Sequence, residues 1–226
     1  MDFMLNETSA GTGPLPGTDV GFETSIGQRP KIAELVALTL RLIDQRGPIV
    51  VYLTAVSHRE GTTTVARALA AAAARSPWCK VALVDASWEP PATGSGKSPG
   101  LLDVTDESGE LPLRRASYEG VDVMECVLRG QTASVPRVET VRLLFSRLRK
   151  QFTLVIVDSA PIFPTTHIAA LSGAADCVVI VVEAERTRAA DLERTRLTLE
   201  QLGAQILGVV LNKRRSWIPG ILNRLI

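Results

Sequence analysis

Between residues 31 and 212, short and almost unbroken apolar runs alternate with stretches whose apolar positions recur every three or four residues. The runs are "IVVYLTA" (49–55), "KVALVD" (80–85), "VDVMECV" (121–127), "TLVIVD" (153–158), "CVVIVVE" (177–183) and "QILGVVLN" (205–212). Strands this uniformly apolar belong to a parallel sheet covered on both faces. The intervening spacing predicts helices over 31–47, 63–75, 137–151 and 188–202, with a short one near Ile168. In the first, Ile32, Leu35, Val36, Leu38, Leu42 and Ile43 fall largely on one face, and Gly47-Pro48 stops it. Strand and helix in alternation define an α/β protein, doubly wound, with a mainly parallel sheet and helices on both faces.

Outside this pattern, residues 1–30 are rich in Gly, Thr, Ser and Pro without a sustained period, and read as a flexible N-terminal leader. Residues 31–226 then form one α/β domain. The tail "RRSWIPGILNRLI" pairs basic with apolar residues and reads either as a helix packed on the domain or as a surface for a membrane or partner.

Composition narrows the functional classes. The 25 basic and 24 acidic side chains nearly cancel, so no global field attracts nucleic acid, and no nucleic-acid partner is expected. Cys79, Cys126 and Cys177 lack metal-ligand or CxxC spacing and read as buried thiols of a reducing compartment. No apolar run reaches the ~18–20 residues of a membrane span. The expected location is the cytoplasm, with peripheral attachment at the inner face of the membrane left open.

The chemistry concentrates where a strand meets a helix, at "VSHREGTTT" (56–64). A phosphate loop binds anions because successive backbone N–H groups, relaxed by glycine and backed by a helix N-terminus, converge on the oxygens. In GxxxxGK[ST] the lysine adds a point charge and the Ser/Thr binds Mg²⁺. Here Gly61 and the hydroxyl of Thr63 are kept, while Val56 stands at the first glycine and Thr62 at the lysine. Arg59, Glu60, Gly61, Thr62, Thr63 and Thr64 are the candidate nucleotide-binding residues. Asp85 and Asp158, each closing an apolar strand, are the candidate residual catalytic carboxylates, and with Thr63 the candidate Mg²⁺ ligands. Both also read as solvated strand-end carboxylates without metal. The "GSGKS" at 94–98 imitates the end of a phosphate loop, but Pro99-Gly100 follows where a helix should start.

The ordered set "TAVSHREGTTT", "VALVDAS", "GLLDVTDESGEL", "LVIVDSAP", "AADCVVIVVE" and "ILGVVLN" resembles the bacterial tyrosine kinases of capsule and exopolysaccharide synthesis, within the P-loop group that holds the MinD- and ParA-like ATPases. The resemblance runs from about Ile32 to Asn212. It implies a P-loop NTPase-like fold, ATP and Mg²⁺ as ligands, and as partner a membrane-embedded polysaccharide chain-length (co-polymerase) protein.

Departures from the family pattern fall on the chemistry. The family's Pro, Gly and Lys of the loop become His58, Arg59 and Thr62; Ser87 replaces the second carboxylate of its DxD; His167 stands where an Asp usually follows DxPP. The ring-forming ExxRxxR aligns with Glu34, Ala37 and Leu40, which predicts a dimer or monomer rather than an octamer. Only Tyr52 and Tyr118 are present, so the family's tyrosine cluster is missing. Loss of one charge-assisted contact weakens binding roughly ten- to a hundredfold, and loss of a donor to transition-state charge costs another factor of about 10²–10³. The expectation is a degenerate, pseudokinase-like regulator of polysaccharide synthesis or export that binds nucleotide weakly or not at all. Two alternatives stay open: an active ATPase or tyrosine autokinase in which Arg59 or Lys97 replaces the lysine, and a MinD/ParA-like positioning ATPase.

Overall fold

The computed structural model describes residues 2–5, 31–86, 100–103, 110–128, 136–162 and 168–213. Its strands are β1 (Asp2–Leu5), β2 (Ile49–Ala55), β3 (Val81–Ala86), β4 (Arg114–Tyr118), β5 (Val121–Val127), β6 (Leu154–Ser159), β7 (Cys177–Glu183) and β8 (Ile206–Asn212). They form one sheet in the order β1-β8-β7-β2-β6-β3-β5-β4. The six central strands run parallel, and β1 and β4 add antiparallel edges against β8 and β5. The helices are α1 (Lys31–Arg46), α2 (Thr62–Ala74), α3 (Val138–Arg149), α4 (Ile168–Ser172) and α5 (Ala189–Gln201).

Alternation along each strand divides the apolar core between two faces. Val51, Leu53, Leu83, Ile156 and Val179 pack with Leu35 and Ile43 of α1 and Val65 and Leu69 of α2. Val50, Tyr52, Val84, Val157 and Ile180 pack on the other side with Leu144, Phe145 and Leu148 of α3 and Leu199 of α5. Strands buried on both sides have no polar face to show, which is why their sequences read as continuous apolar runs. The expected doubly wound α/β architecture is therefore present, and its elements fall within a residue or two of their expected limits.

The sheet also corrects the reading at its edges. Asp2–Leu5, inside the expected leader, is a strand whose partner is β8, with Asp2 opposite Leu211 and Leu5 opposite Gly208. Residues 6–30 of the leader, and the tail from 214 onward, lie outside the described residues. Strand β4 was not expected either. "RRASY" is polar because it pairs on one side only, and the Glu119-Gly120 turn, with both φ values positive, returns the chain into β5. The "GLLD" segment makes a short 3₁₀ turn at Leu101–Asp103, with Leu101 buried and the Leu102 amide donating to Leu128 O at 3.1 Å.

The three cysteines are buried and unpaired, and burial pushes the thiols of Cys126 and Cys177 up to about 12. Among the described residues no helix is long and apolar enough to cross a membrane.

Candidate functional site

Parallel strands with helices returning between them deliver their carboxyl ends, and the loops that follow, to one edge of the sheet. Five such ends meet here: those of β2, β3, β6, β7 and β8. After β2 the chain turns through residues 56–61 into α2. Arg59 (φ 67°) and Gly61 (φ 95°) both take left-handed backbone conformations. Gly61 is required twice over, because a Cβ there would also lie 2.2 Å from Asn212 Nδ2 at the end of β8.

Helix α2 begins at Thr62 with no side-chain cap and no acidic residue in its first turn. Its first-turn amides have no intrahelical acceptor, and the helix dipole favours negative charge beside them. They border a cavity of about 330 Å³ lined by Ser57, His58, Arg59, Gly61 to Thr64, Asp158 to Pro161 and Lys213. The far wall is fixed by short hydrogen bonds: Tyr52 Oη donates to Ser159 Oγ at 2.9 Å and Thr54 Oγ1 to Ala160 O at 2.9 Å. The donors and shape thus fit an anion such as a polyphosphate.

Glu60 departs from its expected place. Rather than facing the cavity, its carboxylate is buried (2% exposed) behind the loop. There Oε2 accepts from the amides of Val56 (2.9 Å) and Ser57 (3.0 Å), and Oε1 accepts from Thr187 Oγ1. Asn212 Nδ2 donates to the Glu60 carbonyl at 2.8 Å. Two amides and a hydroxyl satisfy a carboxylate that solvent cannot reach, so Glu60 braces the loop rather than contacting a ligand.

Thr63 and Asp158 come together as the candidate metal pair. Both residues border the same two cavities, and the Asp158 carboxylate is only 6% exposed. Burial pushes Asp158 up to about 6; the Thr63 contact pulls the other way, Asp85 adds like-charge repulsion, and Arg67 offsets part of it. Asp85 sits opposite Asp158 on the adjacent strand. A second cavity of about 270 Å³ borders Thr63, Arg67, Asp85, Arg114, Glu125 and Asp158. Among the described residues no cluster of three or more His, Cys, Asp or Glu could enclose a metal. Mg²⁺ keeps several waters and is commonly held by one or two protein groups together with substrate phosphates. Thr63 and Asp158 fit that role, with Asp85 beside them, and the ion would there neutralise phosphate charge. Ser87, Lys97 and His167 lie outside the described residues.

Residues at the far end of the chain complete the site and were not expected from sequence. Lys213 Nζ donates to the Arg59 carbonyl and pairs with Glu183 Oε2 at 3.1 Å. Glu183 also accepts from Arg186 at 3.2 Å, and Lys213 first among its neighbours holds its carboxyl below the ordinary value. A cation directly after the "VVLN" strand was the signal available. Arg67 lies over the Tyr118 ring at 5.3 Å from its centre, and Tyr118 Oη donates to Glu125.

A parallel sheet with an uncapped, glycine-entered helix beside two strand-end carboxylates defines a P-loop type α/β protein. Comparison with known proteins finds the chain similar to bacterial tyrosine-protein kinases, in sequence and in fold. EpsB of Ralstonia nicotianae, described as a tyrosine-protein kinase, is 29% identical over 81% of this chain, which spans only 26% of EpsB. The tyrosine-protein kinase CpsD of Streptococcus agalactiae is 27% identical over 71% of this chain and 73% of its own. Among solved structures, the VpsO kinase domain is 27% identical with a TM-score of 0.62, covering 81% of this chain and 94% of that one. The kinase domain of Escherichia coli ETK, 24% identical, shares the fold with a TM-score of 0.65 over 83% of this chain and 78% of its own. No protein-family model matches the chain.

Proposed function

We propose that this chain is a weakly nucleotide-binding, non-catalytic relative of the tyrosine kinases, acting as a regulator of exopolysaccharide or capsule synthesis and export. The observation that carries this reading is the division within one loop. The cradle is formed and open to a cavity, while Thr62, 8% exposed, stands where the charge that meets the phosphates should be. Binding geometry is cheap to keep, because it resides in Gly61 and backbone amides; catalysis needs positioned charge and metal.

The tyrosines support the same reading. Tyr52 is fully buried, its phenol pushed up to about 12 chiefly by burial, and it cannot enter a phosphoryl-transfer site without unfolding β2. Tyr118 is engaged by Glu125 and Arg67. The partner in this reading is a membrane-embedded chain-length protein, with ATP or ADP and Mg²⁺ as weak ligands.

Calorimetry with ATP and Mg²⁺, run beside phosphate-release and phosphotyrosine assays on the same preparation, tests the proposal. The expected outcome is weak, saturable binding with no turnover and no phosphotyrosine. Turnover abolished by Asp158→Ala would establish the active-enzyme alternative instead.

A further inference from the structure

The phosphate loop does not account for the second cavity, which shares Thr63 and Asp158 with the first and runs from them toward the β4 edge of the sheet. The alternation that puts Leu83, Val123 and Ile156 against the α1 and α2 side turns Asp85, Glu125, Val127 and Asp158 to the same face. Asp85 sits opposite Val127 in the β3–β5 ladder and opposite Asp158 in the β3–β6 ladder, so the floor is set by strand register. Arg67, one turn beyond Thr63 on α2, lies over the Tyr118 ring. Glu125 is buried and held from two sides, by Arg114 at 2.8 Å and by Tyr118 Oη.

We propose that this cavity holds the glycosyl group of a nucleoside diphosphate sugar whose diphosphate lies on the first turn of α2. The charges around it select a neutral, hydroxyl-rich group. Two guanidinium groups, Arg67 and Arg114, border it with three carboxylates, Asp85, Glu125 and Asp158, so an anionic group finds no net positive field. A sugar hydroxyl donates to a carboxylate and accepts from a guanidinium at the same time, and both kinds of partner are fixed here within one polar space. Leu83 and Val127 supply apolar area for the C–H groups of the ring. Continuity supplies the connection. Because Thr63 and Asp158 belong to both cavities, a group esterified to a diphosphate at residues 61–64 passes from the first into the second. A glycosyl diphosphate also has no terminal phosphate monoester to neutralise, which suits a loop with Thr62 in place of the lysine. In this way the chain reads the supply of activated sugar. The inference rests on the nucleotide-binding reading above and adds the ligand class to it.

Calorimetric titrations of the full chain with ADP-glucose, UDP-glucose and GDP-mannose, each against its own nucleoside diphosphate and all with Mg²⁺, test it. At least one sugar nucleotide should bind roughly ten- to a hundredfold more tightly than its diphosphate, the reach of one charge-assisted contact. The matching triphosphate, which puts charge where the hydroxyls would be, should gain less. Two substitutions on different elements then locate the preference. Val127→Phe fills the cavity from β5, and Arg67→Met removes a hydroxyl-binding group from α2 while keeping an apolar stem. Each should erase most of the advantage of the sugar nucleotide over the diphosphate, and misfolding of one variant leaves the other to decide. An advantage that is absent from all three pairs, is exceeded by the triphosphate, or survives the substitutions overturns the glycosyl site and leaves nucleotide binding standing. No binding of any nucleotide to the wild-type chain, with its fold verified by circular dichroism, overturns both.

Discussion

Asp85 and Asp158 stand directly opposite one another on neighbouring parallel strands, β3 and β6, at the carboxyl edge of the sheet. Asp158 is buried and Asp85 exposed, so the repulsion between them falls on the group least able to shed it into water. Holding Asp158 ionised there costs stability chiefly through burial, with repulsion from Asp85 adding to it and Arg67 offsetting part.

That cost has a sign and a pH window. Asp158 titrates near 6 in the folded chain against about 3.9 unfolded. Its contribution to stability is therefore greatest below about pH 4, declines as pH rises toward 6, and is flat above. Asp158→Asn should raise the stability of the ligand-free protein at pH 7.5 by about 1–3 kcal/mol, with the gain vanishing by about pH 4. Urea melts at the two pH values measure it; a loss of stability at pH 7.5 would contradict the assignment.

Glu60 predicts the opposite behaviour. Its carboxylate satisfies the amides of Val56 and Ser57 and the hydroxyl of Thr187. Glu60→Ala leaves at least the buried Val56 amide unpaired and should cost about 2–4 kcal/mol. Native-state hydrogen exchange should show the amides of 56 and 57 losing protection first.

Gly61→Ala combines a steric collision with Asn212 Nδ2 and an unfavourable positive φ. Adding Asn212→Ala removes the first term and leaves the second, about 1 kcal/mol. A double-mutant cycle by chemical denaturation should therefore show strong coupling, with the double variant more stable than Gly61→Ala alone plus the cost of Asn212→Ala.

Thr62→Lys in the otherwise wild-type chain should tighten ATP binding by up to about a hundredfold, the reach of one charge-assisted contact. Hydrolysis should stay absent. Recovery of turnover by this single change would mean that the metal-side groups are competent after all.

Assembly is testable from α1. Glu34 and Ala37 are exposed on its outer face, and Ala37 and Leu40 occupy the positions where arginines would cross to a neighbour. Light scattering should report a monomer or dimer; an octamer would show that another surface drives assembly.

What could be read from sequence follows from the range of the interactions involved. The central strands and their helices are recorded locally, in apolar runs and three-to-four spacing, and so is the phosphate loop, whose glycine and hydroxyls are consecutive. Strands β1 and β4 were missed because "DFML" is too short to declare itself and becomes a strand only through β8, while "RRASY" carries the polarity of an edge. Glu60 was misplaced for a related reason: its partner Thr187 is 127 residues away, and no local pattern says that a loop carboxylate turns inward. Lys213 escaped because its meaning depends on β8 ending beside β2's loop, a fact of sheet order rather than spacing.

The antiparallel run of β1 along β8 has a practical bearing. With Asp2 opposite Leu211, polypeptide entering β1 arrives at the rim where Asn212 and Lys213 meet the phosphate loop, not at the remote end of the sheet. An affinity tag or fluorescent fusion joined ahead of Asp2 would therefore leave the sheet at that rim. Binding measurements gain their cleanest reference from protein with that junction cleaved.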